Sequence, residues 1–129
     1  MLKHGAKQLI AEANAQIRTL AAKDALALLD DPDVVFVDVR ETVERQRTGG
    51  VKGSVHAPRG WLEFYADPES SMHQPALSSG KRIVLYCAAG GRSALAAKTL
   101  DDMGVANVSH MAGGFTAWRD AGGPIDSDP

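Results

Sequence analysis

Cys87 is the only cysteine in 129 residues, and the segment around it carries the clearest chemistry in the chain: Ile83-Val84-Leu85-Tyr86-Cys87-Ala88-Ala89-Gly90-Gly91-Arg92-Ser93. An apolar, β-rich run ends at the thiol. A short loop of alanines and glycines follows, and a helical pattern opens behind it. Small residues let the loop turn its backbone N–H groups toward whatever lies at its centre. The N-terminus of the next helix points partial positive charge at the same place, and Arg92 adds a full charge. Such a cradle favours a thiolate, the nucleophilic form of cysteine, and would equally hold the anionic outer sulfur of a persulfide. A lone cysteine at a strand end is by itself an ordinary small core residue. The Gly90-Gly91-Arg92 run, which core packing does not require, turns the reading to a nucleophile.

Roles follow for the neighbours. Ala88, Ala89, Gly90, Gly91, Arg92 and Ser93 are the candidate substrate-binding loop, with Arg92 steering an anionic donor toward Cys87. Ser93 has two compatible roles, a hydrogen bond toward the sulfur and the N-cap of the following helix. Arg59 and Trp61 are candidates for the pocket mouth, Trp61 more as core or lid packing. His56, in a strand-like stretch, reads as structural. His4, His73 and His110 have no ligand spacing, and one thiol excludes both an intramolecular disulfide and a cysteine-built metal site. No metal and no cofactor are expected.

The elements that position these residues alternate in type. The spacing predicts a helix over 5–17 and a second over Ala21–Leu29, with Thr19 as its N-cap and Asp30-Asp31-Pro32 as its end. Val34–Val37 is a buried strand delivering Asp38 and Arg40 at its carboxyl end. A short polar helix over Glu41–Gln46 and a short strand over Ser54–Ala57 follow. The stretch 59–80 is irregular. Arg82–Tyr86 is the strongest strand, Ser93–Met103 an amphipathic helix capped by Gly104, Ala106–Met111 a last strand, and Phe115–Ala121 a last helix opened by Gly113-Gly114. This alternation predicts an α/β domain with a largely parallel sheet, in which chemistry collects at the carboxyl ends of strands.

Bulk properties narrow the class. A hydrophobic content of 44% with 23% charged residues suits a soluble globular domain. The net charge of −2 and the lack of any basic run argue against a nucleic-acid partner, and no stretch has the run of apolar residues that a membrane span needs. A scattered N-terminus without an apolar run and a single thiol make the cytoplasm the expected compartment.

The Cys87 segment resembles the rhodanese family, and three further stretches carry the resemblance. Val37-Asp38-Val39-Arg40-Glu41 is similar to the family's first signature, Gly53-Ser54-Val55-His56-Ala57-Pro58 to its Gly-x-x-x-x-Pro stretch, and Met111-Ala112-Gly113-Gly114-Phe115-Thr116-Ala117-Trp118 to its Gly-Gly-x-x-x-Trp signature. The match runs from about Thr19 to Pro124. It implies a three-layer domain with a five-stranded, mainly parallel sheet flanked by helices over 19–129, with 1–18 as a helical extension. It also implies a structural ion pair or loop tether for Asp38 and Arg40, and a Cys87 that cycles through a persulfide. The reaction implied takes sulfur from thiosulfate or a similar small anionic donor to a thiol, a protein cysteine or, in vitro, cyanide. A sulfur-relay carrier and a non-catalytic interaction module of the same fold are the alternatives. Phosphatases sharing the fold use a Cys-x5-Arg loop; Cys87-x4-Arg92 is one residue shorter and suits a sulfur better than a phosphate, so a phosphatase or arsenate reductase ranks last.

Overall fold

The computed structural model describes residues 1–127. In chain order the elements are α1 (Ala6–Gln16), β1 (Arg18–Leu20), α2 (Ala22–Leu26), β2 (Val34–Asp38), α3 (Thr42–Thr48), β3 (Gly50–Val51), β4 (Val55–His56), α4 (Leu62–Ala66), β5 (Arg82–Tyr86), α5 (Gly91–Asp102), β6 (Val108–Met111), α6 (Gly114–Asp120) and β7 (Ile125–Asp126). Five strands form one sheet in the order β1-β6-β5-β2-β4, every neighbouring pair parallel. β3 and β7 make a separate two-stranded antiparallel ribbon. Among the described residues, no helix is long and apolar enough to cross a membrane.

The central strand shows why the sheet is covered on both sides. Ile83, Leu85 and Cys87 project to one face, where they pack with Leu62, Leu77, Ala96, Ala97 and Leu100. Val84 and Tyr86 project to the other, among Phe36, Met111, Phe115 and Trp118. An uninterrupted apolar strand is the mark of a parallel sheet buried on both faces. Trp118 is fully buried, tilted over Phe36 with ring centroids 5.5 Å apart, and its indole N–H donates to Pro124 O at 3.0 Å. It pins α6 to the sheet.

Three local readings change. Thr19 is a strand residue, paired with His110 across β1 and β6, and Ala21 takes the N-cap of α2. Parallel pairing with β6 overrides the capping preference of the threonine. The helix expected to reach Leu29 ends at Leu26. Trp61 is about half exposed, stacked obliquely on Phe64, so it is not core packing. The irregular 59–80 stretch is instead held down by Leu62 and Leu77, both buried. α1 lies along α5: Ala13 and Ile17 are buried, and the Gln16 amide donates to Asp101 and Asp102 at 2.8 and 2.7 Å.

At the carboxyl end of β2 a charged cluster is buried. The Asp38 carboxylate accepts from the Arg40 amide (2.9 Å), Arg40 Nε (3.0 Å) and Nη2 (2.8 Å), Arg45 Nη1 (3.2 Å) and the Tyr86 hydroxyl (2.9 Å). Arg40 also donates to Gly49 O and Thr48 Oγ1. Burial pushes the Asp38 carboxyl up, but the hydrogen bonds and charge of Arg40, helped by Tyr86, outweigh it and hold the group below its ordinary value. Burial first, and the Asp38 charge next, push the Tyr86 hydroxyl up to about 12. The cluster ties β2, β5 and α3 together. Asp38→Ala strips Arg40 of its buried counter-charge and should cost about 3–5 kcal/mol in urea unfolding. Because the folded carboxyl is depressed, the wild-type contribution is complete above its ordinary value of 3.8 and drains away as pH falls below it.

Candidate active site

Cys87 lies at the carboxyl end of the central strand with 1% of its surface exposed. Two backbone amides address its sulfur: Gly90 N–H at 3.1 Å and Ser93 N–H at 3.4 Å. The Ser93 hydroxyl lies 3.6 Å from Sγ. Gly90 occupies the N-cap of α5 with φ +116°, a left-handed conformation natural to glycine. Ser93 is therefore inside the first turn, not the N-cap, and both its amide and its hydroxyl face the sulfur. The small residues of the loop form the turn predicted for them, with Ala88 half-buried and Ala89 exposed.

Two of the loop carbonyls are bonded to α6. Phe115 N–H donates to Cys87 O at 2.8 Å, and Thr116 N–H to Ala88 O at 3.2 Å. The first turn of α6 thus takes two acceptors that would otherwise face an anion. This close approach needs Gly114: at φ +56°, a Cβ there would overlap the carbonyls of Cys87 and Ala88.

Arg92 is held on α3. Its Nη1 and Nη2 meet Glu44 Oε2 and Oε1 at 2.7 and 2.9 Å, a two-pronged pair, while Glu44 also accepts the Glu41 amide at 2.8 Å in a capping box. Hydrogen bonding from Arg92 holds the Glu44 carboxyl at about 2, against the upward push of partial burial. Arg59 is engaged by Glu63 (3.2 Å) and Thr99 (3.1 Å), and no hydrogen bond among the described residues joins it to the loop. His56 Nε2 lies 2.8 Å from Arg40 O, a structural contact.

The sequence reading missed two residues that the fold brings to this site. His110, on β6, is 2% exposed, with Nδ1 3.0 Å from the Ser93 hydroxyl and Nε2 2.7 Å from Asn14 Oδ1 on α1. Burial pushes its imidazole down, toward the neutral form. A polar side chain between Val108 and Met111, on a strand so buried, was the available signal that it must have partners. A cavity of about 280 Å³ lies against the loop, and His110, Asn14 and Gly90 are among its lining residues. A larger one, about 540 Å³, sits at the amino end of β5 beside Ile83, Met103 and Val105, away from the cysteine.

Fold and site define a class: a parallel α/β domain that holds a single buried cysteine in an amide-lined loop at the carboxyl end of its middle strand. The family model of the Rhodanese-like domain matches residues 21–121, and the chain belongs to that family. It is 35% identical over 98 residues to a thiosulfate:glutathione sulfurtransferase of Saccharomyces cerevisiae, covering 72% of this chain and 70% of that one. Among solved structures, a Rhodopseudomonas palustris protein of unknown function, described as a possible tyrosine phosphatase, is 49% identical, covers 98% of this chain and 97% of its own, and superposes with a TM-score of 0.93. The polysulfide-sulfur transferase homodimer of Wolinella succinogenes is 31% identical, with 93% and 85% coverage and a TM-score of 0.70. The chain spans 54% and 64% of the length of the first two curated relatives it matches. The relatives support sulfur transfer, a transferase-type activity, at the level of the family.

The Arg92–Glu44 pair should show in acid. Its contribution is complete above pH 4.5 and lost as pH falls toward about 2. In Glu44→Gln it is absent at every pH. The variant should start about 1 kcal/mol less stable at neutral pH, the upper end for a partly exposed pair. The gap should close across the acid limb in urea midpoints taken from pH 5 downward.

Proposed function

We propose that the protein is a sulfurtransferase in which Cys87 carries sulfane sulfur as a persulfide. The observation that carries this reading is the pair of amides on Sγ, Gly90 at 3.1 Å and Ser93 at 3.4 Å, with the neighbouring carbonyls drawn off by α6. In the first half-reaction the Cys87 thiolate attacks the outer sulfur of thiosulfate or a similar small anionic donor. The new S–S bond forms as the donor's own S–S bond breaks, and sulfite leaves with the electron pair. The persulfide anion rests in the loop of residues 88–93. In the second, an acceptor attacks the outer sulfur and Cys87 departs as thiolate. The acceptor is a thiol or a protein cysteine, with cyanide serving in the assay. With no second cysteine in the sequence, the acceptor comes from another molecule. A reducing compartment such as the cytoplasm suits a lone thiol that must stay reduced. Arg92 serves the loop by anchoring it to α3 through Glu44. Arg59, held by Glu63 and Thr99, has no assigned part.

A phosphatase reading is kept in view by the description of the Rhodopseudomonas palustris structure. Against it stand the short Cys87-x4-Arg92 spacing and the two-pronged engagement of Arg92 Nη1 and Nη2 by Glu44, which commits the end-on fork of the guanidinium to a carboxylate of the protein itself.

Thiocyanate formation from thiosulfate and cyanide should follow parallel double-reciprocal lines, the signature of a two-step exchange. Cys87→Ser should abolish it, and p-nitrophenyl phosphate should not turn over. Phosphate release without thiocyanate would overturn the reading. Sulfur loading with slow cyanide turnover but fast transfer to a protein thiol would make the chain a relay carrier.

A further inference from the structure

Cys87 is almost wholly buried, so its thiol proton cannot pass straight to bulk water. The hydrogen-bonded groups around the sulfur offer another course. Asn14 Oδ1 can only accept, and the Thr19 hydroxyl also approaches it at 3.5 Å, so the His110 nitrogen 2.7 Å away, Nε2, carries the ring proton. That leaves Nδ1 as an acceptor for the Ser93 hydroxyl at 3.0 Å, and the Ser93 oxygen free to accept from the Cys87 thiol at 3.6 Å. Every group in the row then has a donor facing an acceptor; Gly90 O, 3.3 Å from the Ser93 oxygen, is a second and longer acceptor for that hydroxyl.

We propose that Cys87, Ser93, His110 and Asn14 form a proton relay that converts the buried thiol to its thiolate. Ser93 takes the thiol proton as it passes its own hydroxyl proton to His110 Nδ1. Thiol and imidazole become thiolate and imidazolium, with no proton gained or lost, and Nε2–H stays on Asn14 throughout. The Ser93 hydroxyl reverses, now donating to the sulfur beside the amides of Gly90 and Ser93. His110 and Asn14 line the 280 Å³ cavity beside the loop, and Asn14 is exposed, so the row runs from the buried sulfur toward the surface. The neutral resting imidazole, favoured by burial, is ready to accept. His110 and Asn14 are positioning residues, acting on sulfur through Ser93.

The surroundings isolate the relay. His110 is faced by Asn14 from α1, Thr19 from β1, Leu85 from β5 and Ser93 from α5, and none of these four is titratable in the working range. Cys87 meets the imidazole through Ser93. The carboxylates on the α1–α5 seam, Asp101 and Asp102, lie at the far end of α5 and are bound by Gln16 and Lys98. Asn14 comes from the helix that precedes the 21–121 family match, so α1 would belong to the chemistry as well as to the packing.

The relay rests on Cys87 being the nucleophile, and its test needs no sulfur donor. The thiolate ultraviolet absorbance is followed against pH, each protein blanked with its own Cys87→Ser counterpart. Asn14→Asp, which places a carboxylate on Nε2, should bring the thiolate in about one pH unit lower, a tenfold change. Asn14→Leu, which removes the acceptor, should delay it by a similar amount. Both act from the exposed side of α1, where folding is least at risk. Ser93→Ala should delay the thiolate too, and Ser93→Thr should restore it. Curves for the two Asn14 variants that coincide with wild type, or shift together, would overturn the relay. Shifts as expected in a protein that takes no sulfur from thiosulfate would keep the relay and discard the sulfurtransferase reading; sulfur loading without the shifts would do the reverse.

Discussion

Two hydrogen bonds, from the amides of Phe115 and Thr116 to the carbonyls of Cys87 and Ala88, set the constraint on which the site depends. A loop that must hold an anionic sulfur has to present N–H groups and hide its oxygens, and an acceptor left facing the sulfur would undo the cradle. The first turn of α6 supplies the partners that turn those oxygens away. The requirement propagates outward. α6 can come so close only with Gly114 at its start, and it stays there because Trp118, one turn on, is buried against Phe36. The Gly-Gly-x-x-x-Trp spacing is therefore one device: a close approach at one end of a short helix and an anchor at the other.

The charges near the site each have a partner within the protein. Asp38 gathers Arg40 and Arg45 beneath β2, and Glu44 takes Arg92. Both acids are held below their ordinary values, so both pairs stay charged at neutral pH. These pairs stiffen the strand end and brace the loop against α3. Besides the charge of Arg92, which couples to Cys87, the sulfur meets dipoles: two amides, the start of α5, and a hydroxyl backed by a neutral histidine. A fixed set of dipoles needs little rearrangement as charge moves between thiolate, persulfide and leaving group. Arg92, which the sequence casts as an anion guide, is also tied to α3 through Glu44.

How much of this was legible in the chain depends on range. β5 and β2 are continuous apolar runs whose type does not depend on a partner, and the Cys87 loop is local, so the fold class and the strand-cysteine-loop-helix unit are both readable. β1, β3 and β7 are two or three residues long and become strands only through pairing, which is why Thr19 looks like a helix cap until His110 is placed beside it. The partner of Arg92 is 48 residues upstream, and that of His110 is 96 residues away. His110 carries no motif of its own. Searching histidines for ligand spacing passes over one whose partners are a serine and an asparagine. Asn14 was equally hidden, although it lies one helical turn after Ile10, which flanks the same cavity.

The account stands on Cys87 carrying sulfur, and the intact mass of the protein after incubation with thiosulfate tests that most directly. Wild type should gain one sulfur atom, lose it on adding cyanide as thiocyanate appears, and gain nothing as Cys87→Ser. A wild-type mass that stays unchanged with thiosulfate and with polysulfide would contradict the account at its centre.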